Sequence, residues 1–143
     1  MSTVCRIIGL ALIAAAAALP ASAADLTGTW LTKGGKSHVH IEPCGNKFCG
    51  KIVWMKEPND DAGKPKLDKE NSDESLRSRP ILGLPLLTGF KPSGDNEWDG
   101  GEIYNPEDGK TYRSEMVLKS ADELGVSGCV FIFCKEQLWT RVK

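Results

Sequence analysis

Two histidines and a carboxylate occupy alternate positions in Ser37-His38-Val39-His40-Ile41-Glu42. On an extended strand that spacing sets His38, His40 and Glu42 side by side on one face. Imidazole and carboxylate are ordinary ligands of divalent metals, so a site completed by a neighbouring strand is one reading. The alternation supports a simpler one: a solvent-facing polar stripe opposite a core stripe of Val39 and Ile41. We adopt the second and expect no metal and no other cofactor.

The cysteines pose a similar choice. Cys44/Cys49 and Cys129/Cys134 are two C-x4-C pairs, at the margin of the spacing that structural zinc motifs use. Of the five cysteines, Cys5 leaves with the export signal, and the four that remain, an even number in an exported chain, point instead to disulfides. Four cysteines allow three connectivities. We expect the local pairs Cys44–Cys49 and Cys129–Cys134, each closing a hairpin end. Gly45-Asn46-Lys47-Phe48 suits a turn, whereas Val130-Phe131-Ile132-Phe133 is apolar and suits one less well.

A third constellation is Arg77-Ser78-Arg79 ahead of Pro80-Ile81-Leu82-Gly83-Leu84-Pro85-Leu86-Leu87-Thr88-Gly89-Phe90. Its prolines and glycines rule out one regular helix or central strand, and its apolar content requires packing on the core. Arginines beside such a segment could take the acid group of an amphipathic anion. They could equally pair with Asp68, Asp73 or Glu74. Taken as a site, Arg77 and Arg79 would supply the charge, with Trp54, Tyr112 and Met116 as apolar lining. No nucleophile has a visible base, so catalysis is not expected.

The elements that must position these residues read as strands. Tyr104-Asn105-Pro106-Glu107-Asp108-Gly109-Lys110-Thr111-Tyr112 has the residues of a hairpin loop, with Tyr104 and Tyr112 flanking it as a candidate cross-strand pair. Beyond it, Tyr112, Ser114, Met116 and Leu118 share a face that should point inward. Lys51-Ile52-Val53-Trp54-Met55-Lys56 and Gln137-Leu138-Trp139-Thr140-Arg141 are further strands. Residues 57–78 are a long polar excursion without alternation, in which Asp73 can cap a short helical turn. About eight strand-like segments and no strong helix make the chain all-β. A single antiparallel barrel is the natural way for such a chain to remove its exposed edges. In it, Arg141 on the last strand would lie on the Trp30 indole of the first.

The remaining bounds are coarse. Arg6, the apolar run 7–19 and Ala21-Ser22-Ala23 have the form of an export signal, giving residues 1–23 as signal and 24–143 as one domain in the periplasm. The run is too short for a membrane span. The net charge is −1, and the charges are interspersed without a basic stripe. That argues against nucleic acid and anionic membrane surfaces as partners.

Several stretches together resemble one family. They are Pro43-Cys44-Gly45 with Cys49-Gly50-Lys51-Ile52-Val53-Trp54, Leu76-Arg77-Ser78-Arg79-Pro80-Ile81-Leu82-Gly83-Leu84-Pro85, Trp98 with the Tyr104–Tyr112 hairpin, and Trp139-Thr140-Arg141-Val142. In this order they are similar to the domain of unknown function 2147 family of small exported bacterial proteins. The resemblance implies a lipocalin-like β-barrel. Gly28-x-Trp30 and Arg141 also resemble the wider lipocalin superfamily, where arginine packs over that tryptophan. The functional expectation is a small amphipathic or anionic ligand in the barrel. The alternative is an envelope-associated interaction module with a filled barrel.

Overall fold

The computed structural model describes residues 11–15 and 26–143. Most of the export-signal reading lies outside these residues, and 11–15 carry no regular secondary structure. The remainder is a closed antiparallel barrel of eight strands in sequence order. These are β1 (Gly28–Leu31), β2 (Ser37–Cys44), β3 (Lys47–Met55), β4 (Pro85–Gly94), β5 (Glu97–Asn105), β6 (Lys110–Ser120), β7 (Glu123–Val130) and β8 (Phe133–Arg141). β8 returns to β1 with Trp30 opposite Arg141 and Leu31 opposite Thr140.

Period-2 alternation decides which residues face inward. In β2, Val39 and Ile41 are fully buried while His38, His40 and Glu42 lie on the outer face. In β6, Ser114, Met116 and Leu118 are buried. The hairpin loop forms as its residues require. Gly109 adopts φ 71°, its N–H reaches the Asn105 carbonyl at 2.8 Å, and Asn105 Oδ1 accepts from Glu107 N at 3.0 Å. The expected tyrosine pair does not form. Tyr104 sits opposite Thr111 and Tyr112 opposite Ile103, because a four-residue loop puts the two rings on successive, opposite-facing rungs.

The barrel has two unlike ends. Turns β2–β3, β4–β5 and β6–β7 share one end with the start of β1 and the finish of β8; the other turns share the opposite end. The first end is packed solid by Trp30, Phe48, Phe90, Trp98, Met116 and Leu124, all nearly or wholly buried. A Cβ on Gly101 would sit 2.5 Å from the Phe90 ring, so that rung must be bare for the ring to fit. The guanidinium of Arg141 lies 4.2 Å from the Trp30 ring centroid. It also donates to the carbonyls of Ala121 at 2.7 Å and Thr27 at 3.0 Å. A Cβ at Gly28 would stand 2.6 Å from Arg141 Nη1. The glycine is therefore what lets the cation reach the indole.

The cysteines pair locally, Cys44 with Cys49 on the β2–β3 turn and Cys129 with Cys134 on the β7–β8 turn. Residues 56–84 are not a solvated loop throughout. Leu67 bridges Pro80, Ile81 N bonds the Lys66 carbonyl at 3.0 Å, and Asp73 caps the turn Glu74–Leu76 through Ser75 N at 3.0 Å.

Removing the Arg141 guanidinium deletes a cation–π contact and two bonds to backbone carbonyls. Arg141→Ala should therefore lower unfolding stability by about 2 kcal/mol. Urea denaturation of the two proteins measures it, and a loss below about 0.5 kcal/mol would show that the contact contributes little to closure.

Candidate functional site

At the second end the barrel is hollow. A cavity of about 1070 Å³ opens there, just above the ~300–1,000 Å³ usual for small-molecule sites. Ile52, Ile103, Tyr112, Val126, Gly128 and Trp139 line it, contributed by β3, β5, β6, β7 and β8. The hollow follows from side-chain size. The packed end has rings on most of its inward rungs, whereas this end sets the rings of Tyr112 and Trp139 among Ser37, Val126 and a bare Gly128, whose Cβ would meet nothing nearer than 3.9 Å.

Six lysines and four carboxylates ring the mouth. Lys36 pairs with Glu107 at 3.1 Å and Lys66 with Glu57 at 3.9 Å. Among the described residues, Lys33, Lys56, Lys69 and Lys135 have no ion-pair partner within 4.0 Å. The site can therefore offer an apolar well beneath a cationic rim.

One side of the mouth is built by the 56–84 excursion, which Asp68 pins to the barrel. Its side chain is fully buried. It accepts from Tyr104 Oη at 2.6 Å, Asn71 Nδ2 at 2.9 Å and Arg79 Nε at 2.9 Å. The Arg79 guanidinium also lies 5.6 Å from the Tyr104 ring centroid. A buried carboxylate is tolerable only with such donors. Burial pushes the Asp68 carboxyl up, but the three donors outweigh it and hold it below 3.8. Burial and the Asp68 carboxylate push the Tyr104 phenol up to about 12. Gly109 completes the seat, since a Cβ there would lie 1.7 Å from the Glu70 carbonyl oxygen.

The five expected ligand contacts are not brought together. Tyr112 lines the cavity, with its hydroxyl donating to Asp108 at 2.5 Å. Met116 lies in the packed half, 1% exposed. Arg79 is engaged by Asp68, and Arg77 by the Asn71 carbonyl at 2.7 Å and Glu74 at 3.7 Å. Trp54 is 42% exposed on the outer wall and stacks on His38 with ring centroids 4.4 Å apart. A bulge explains it. His38 pairs Trp54 but Val39 pairs Ile52, so Val53 is extra and turns Trp54 outward while Met55 joins the lining. His40 contacts Thr29 Oγ1 at 3.0 Å and Glu42 at 3.8 Å. The rim lysines were missed because they are dispersed over 33–135, and only closure gathers them.

Because the native pKa of Asp68 is lowered, its stabilisation is present above its unfolded value and is lost as pH falls through the native one. Because that of Tyr104 is raised, its stabilisation is complete below pH 10 and is lost as pH rises through about 12. The Asp108 carboxylate likewise raises the Tyr112 phenol, with burial adding to it. Ultraviolet titration should therefore show little phenolate at pH 10 in the native protein, against half-ionisation in urea. In Tyr112→Phe, where Tyr104 is the one tyrosine left, native half-ionisation by pH 10 would contradict the Asp68–Tyr104 bond.

The family model described as "Uncharacterized protein conserved in bacteria (DUF2147)" matches residues 28–141. No match is found among curated proteins. Among solved structures, protein HP1028 from Helicobacter pylori, described as belonging to the lipocalin family, is similar at TM-score 0.72 and 27% identity. The likeness covers 82% of this chain and 83% of that one. With the closed eight-strand barrel, these matches show that the chain is a lipocalin-like barrel belonging to the DUF2147 family of bacterial proteins.

Proposed function

We propose that the protein is an exported, periplasmic carrier or sensor of a small amphipathic acid, holding the apolar part in the barrel and the acid group at the lysine rim. The observation that carries this reading is the graded barrel, packed by aromatic rings at one end and hollow, with about 1070 Å³ of space, at the other. A module with a filled barrel would have no use for a bare rung at Gly128 or for unpaired lysines above an apolar well. The likeness to a protein described as a lipocalin supports binding. Export is supported by Arg6 with the apolar run after it and by two disulfides.

The acid group meets Lys33, Lys56, Lys69 or Lys135 rather than the arginines, which the excursion uses for its own anchorage. Tyr112 and Trp139 flank the apolar part. No step of chemistry is assigned.

Titration calorimetry with dodecanoate, on protein stripped of lipid, should give saturable binding of one molecule per chain. Dodecanol should bind about fivefold more weakly, the worth of one exposed ion pair of ~1 kcal/mol. Gly128→Phe should fold, since space surrounds that rung, and should weaken dodecanoate binding at least about tenfold. Equal affinity in that variant would place the molecule outside the barrel, and absence of binding by any acyl acid would reject the reading.

A further inference from the structure

The β7–β8 hairpin ends in a tip that none of the described residues covers. Val130, Phe131, Ile132 and Phe133 are 52%, 84%, 86% and 75% exposed. Cys129–Cys134 staples the hairpin directly beneath them, Val130 pairs with Phe133, and Arg113 Nη2 holds the Phe131 carbonyl at 2.5 Å. The two-residue turn itself is Phe131-Ile132, with Phe131 at φ 54°. Turns of this length favour asparagine or glycine at that conformation, because a bulky side chain is strained there. Folding gains nothing here from either the rings or the backbone. The tip is a disulfide-stapled apolar projection left uncovered by the described residues, the kind of feature that marks an interaction site.

Its surroundings identify the partner. Interspersed along the sequence, the basic residues form no stripe, but closure brings several to this rim. In barrel order β8 is followed by β1, β2 and β3. Lys135 therefore flanks the tip, Lys33 and Lys36 stand on the next turn, and Lys56 follows at the end of β3. Three of these four have no ion-pair partner among the described residues, Lys36 alone being held by Glu107. Trp54, half-exposed on the outer wall one residue before the end of β3, completes the arc. The excursion, pinned through Asp68 and Gly109, occupies the other side over β5 and β6.

Apolar side chains projecting past a ring of lysines, with an indole behind them, suit the boundary of a bilayer. There, rings enter the acyl region, ammonium groups meet headgroup phosphates and tryptophan rests at headgroup level. We propose that the protein docks mouth-first on bilayers containing anionic phospholipid, with residues 130–133 inserted into the interface and Lys33, Lys56 and Lys135 on the phosphates. The orientation would point the open end of the cavity at the membrane. The docking shares Lys33, Lys56 and Lys135 with the rim of the cavity, but the inserted residues 131–133 lie outside it, so docking does not require the cavity to be filled.

Vesicle sedimentation tests it with the mature chain, disulfides intact. Binding is expected to vesicles of phosphatidylcholine mixed with phosphatidylglycerol, weakened by salt, and to be at least about tenfold weaker on phosphatidylcholine alone. Phe131→Asn with Ile132→Ser suits the turn and removes no internal contact, so its melting temperature should be equal or higher while vesicle binding falls at least about tenfold. Lys33→Glu with Lys56→Glu should lose the preference for the anionic lipid. The proposal is overturned if the wild-type chain ignores anionic vesicles or if the tip variant binds them equally well. It is also overturned if the tip proves instead to join copies of the chain, seen as concentration-dependent dimers that the tip variant abolishes without any vesicle binding by the wild type.

Discussion

Closure of β1 on β8 is the constraint from which the other features follow. Four residues of β1 supply a short seam, and two backbone rungs of it face β8 directly. The seam is reinforced where Arg141 lies across Trp30 and ties down the carbonyls of Thr27 and Ala121. One cation thus joins the first strand, the last strand and the β6–β7 turn. With that end sealed, access to the interior is left to the opposite end. An eight-stranded barrel is just wide enough to be filled by its own side chains. Whether it is filled is therefore a question of residue size on each inward rung, and here the sizes fall from rings to valine and glycine along the axis.

The excursion shows how polar chemistry is used to hold an apolar site in shape. A carboxylate at full burial is costly unless each lone pair it presents is met. Asp68 receives a phenol from the barrel wall and an amide and a guanidinium from its own segment. The barrel thereby reads the conformation of a segment about thirty residues distant in sequence from Tyr104 through one oxygen pair. The same bonds spend Arg79, so the rim must find its positive charge elsewhere. It does so from lysines, whose flexible stems leave those charges less fixed in direction than a guanidinium.

Local chemistry was legible in the sequence where it is decided by near neighbours. The Asn105–Gly109 loop, the inward face of β6, the capping of Glu74–Leu76 by Asp73 and the local cysteine pairs all follow from residues a few positions apart. The Gly28-x-Trp30 opening and Arg141 could be joined because closure is the expected fate of an all-β chain this size. Trp54 was not legible, since one bulge residue, Val53, inverts its face without a turn signal. Nor was the order of residues 56–84, which rests on a burial that only the folded barrel provides. The mouth was least visible of all, being assembled from separate turns whose charges look balanced when read along the chain.

A hollow half-barrel that is a binding site, as proposed, rather than a packing defect should leave the cell with an occupant. Native mass spectrometry of the protein, purified gently from the cells that make it, addresses this directly. The expected spectrum contains a population carrying one non-covalent adduct, released by organic solvent and having the mass of an acyl-type amphiphile. A spectrum showing only the bare chain, under conditions gentle enough to preserve known lipid complexes, would contradict it.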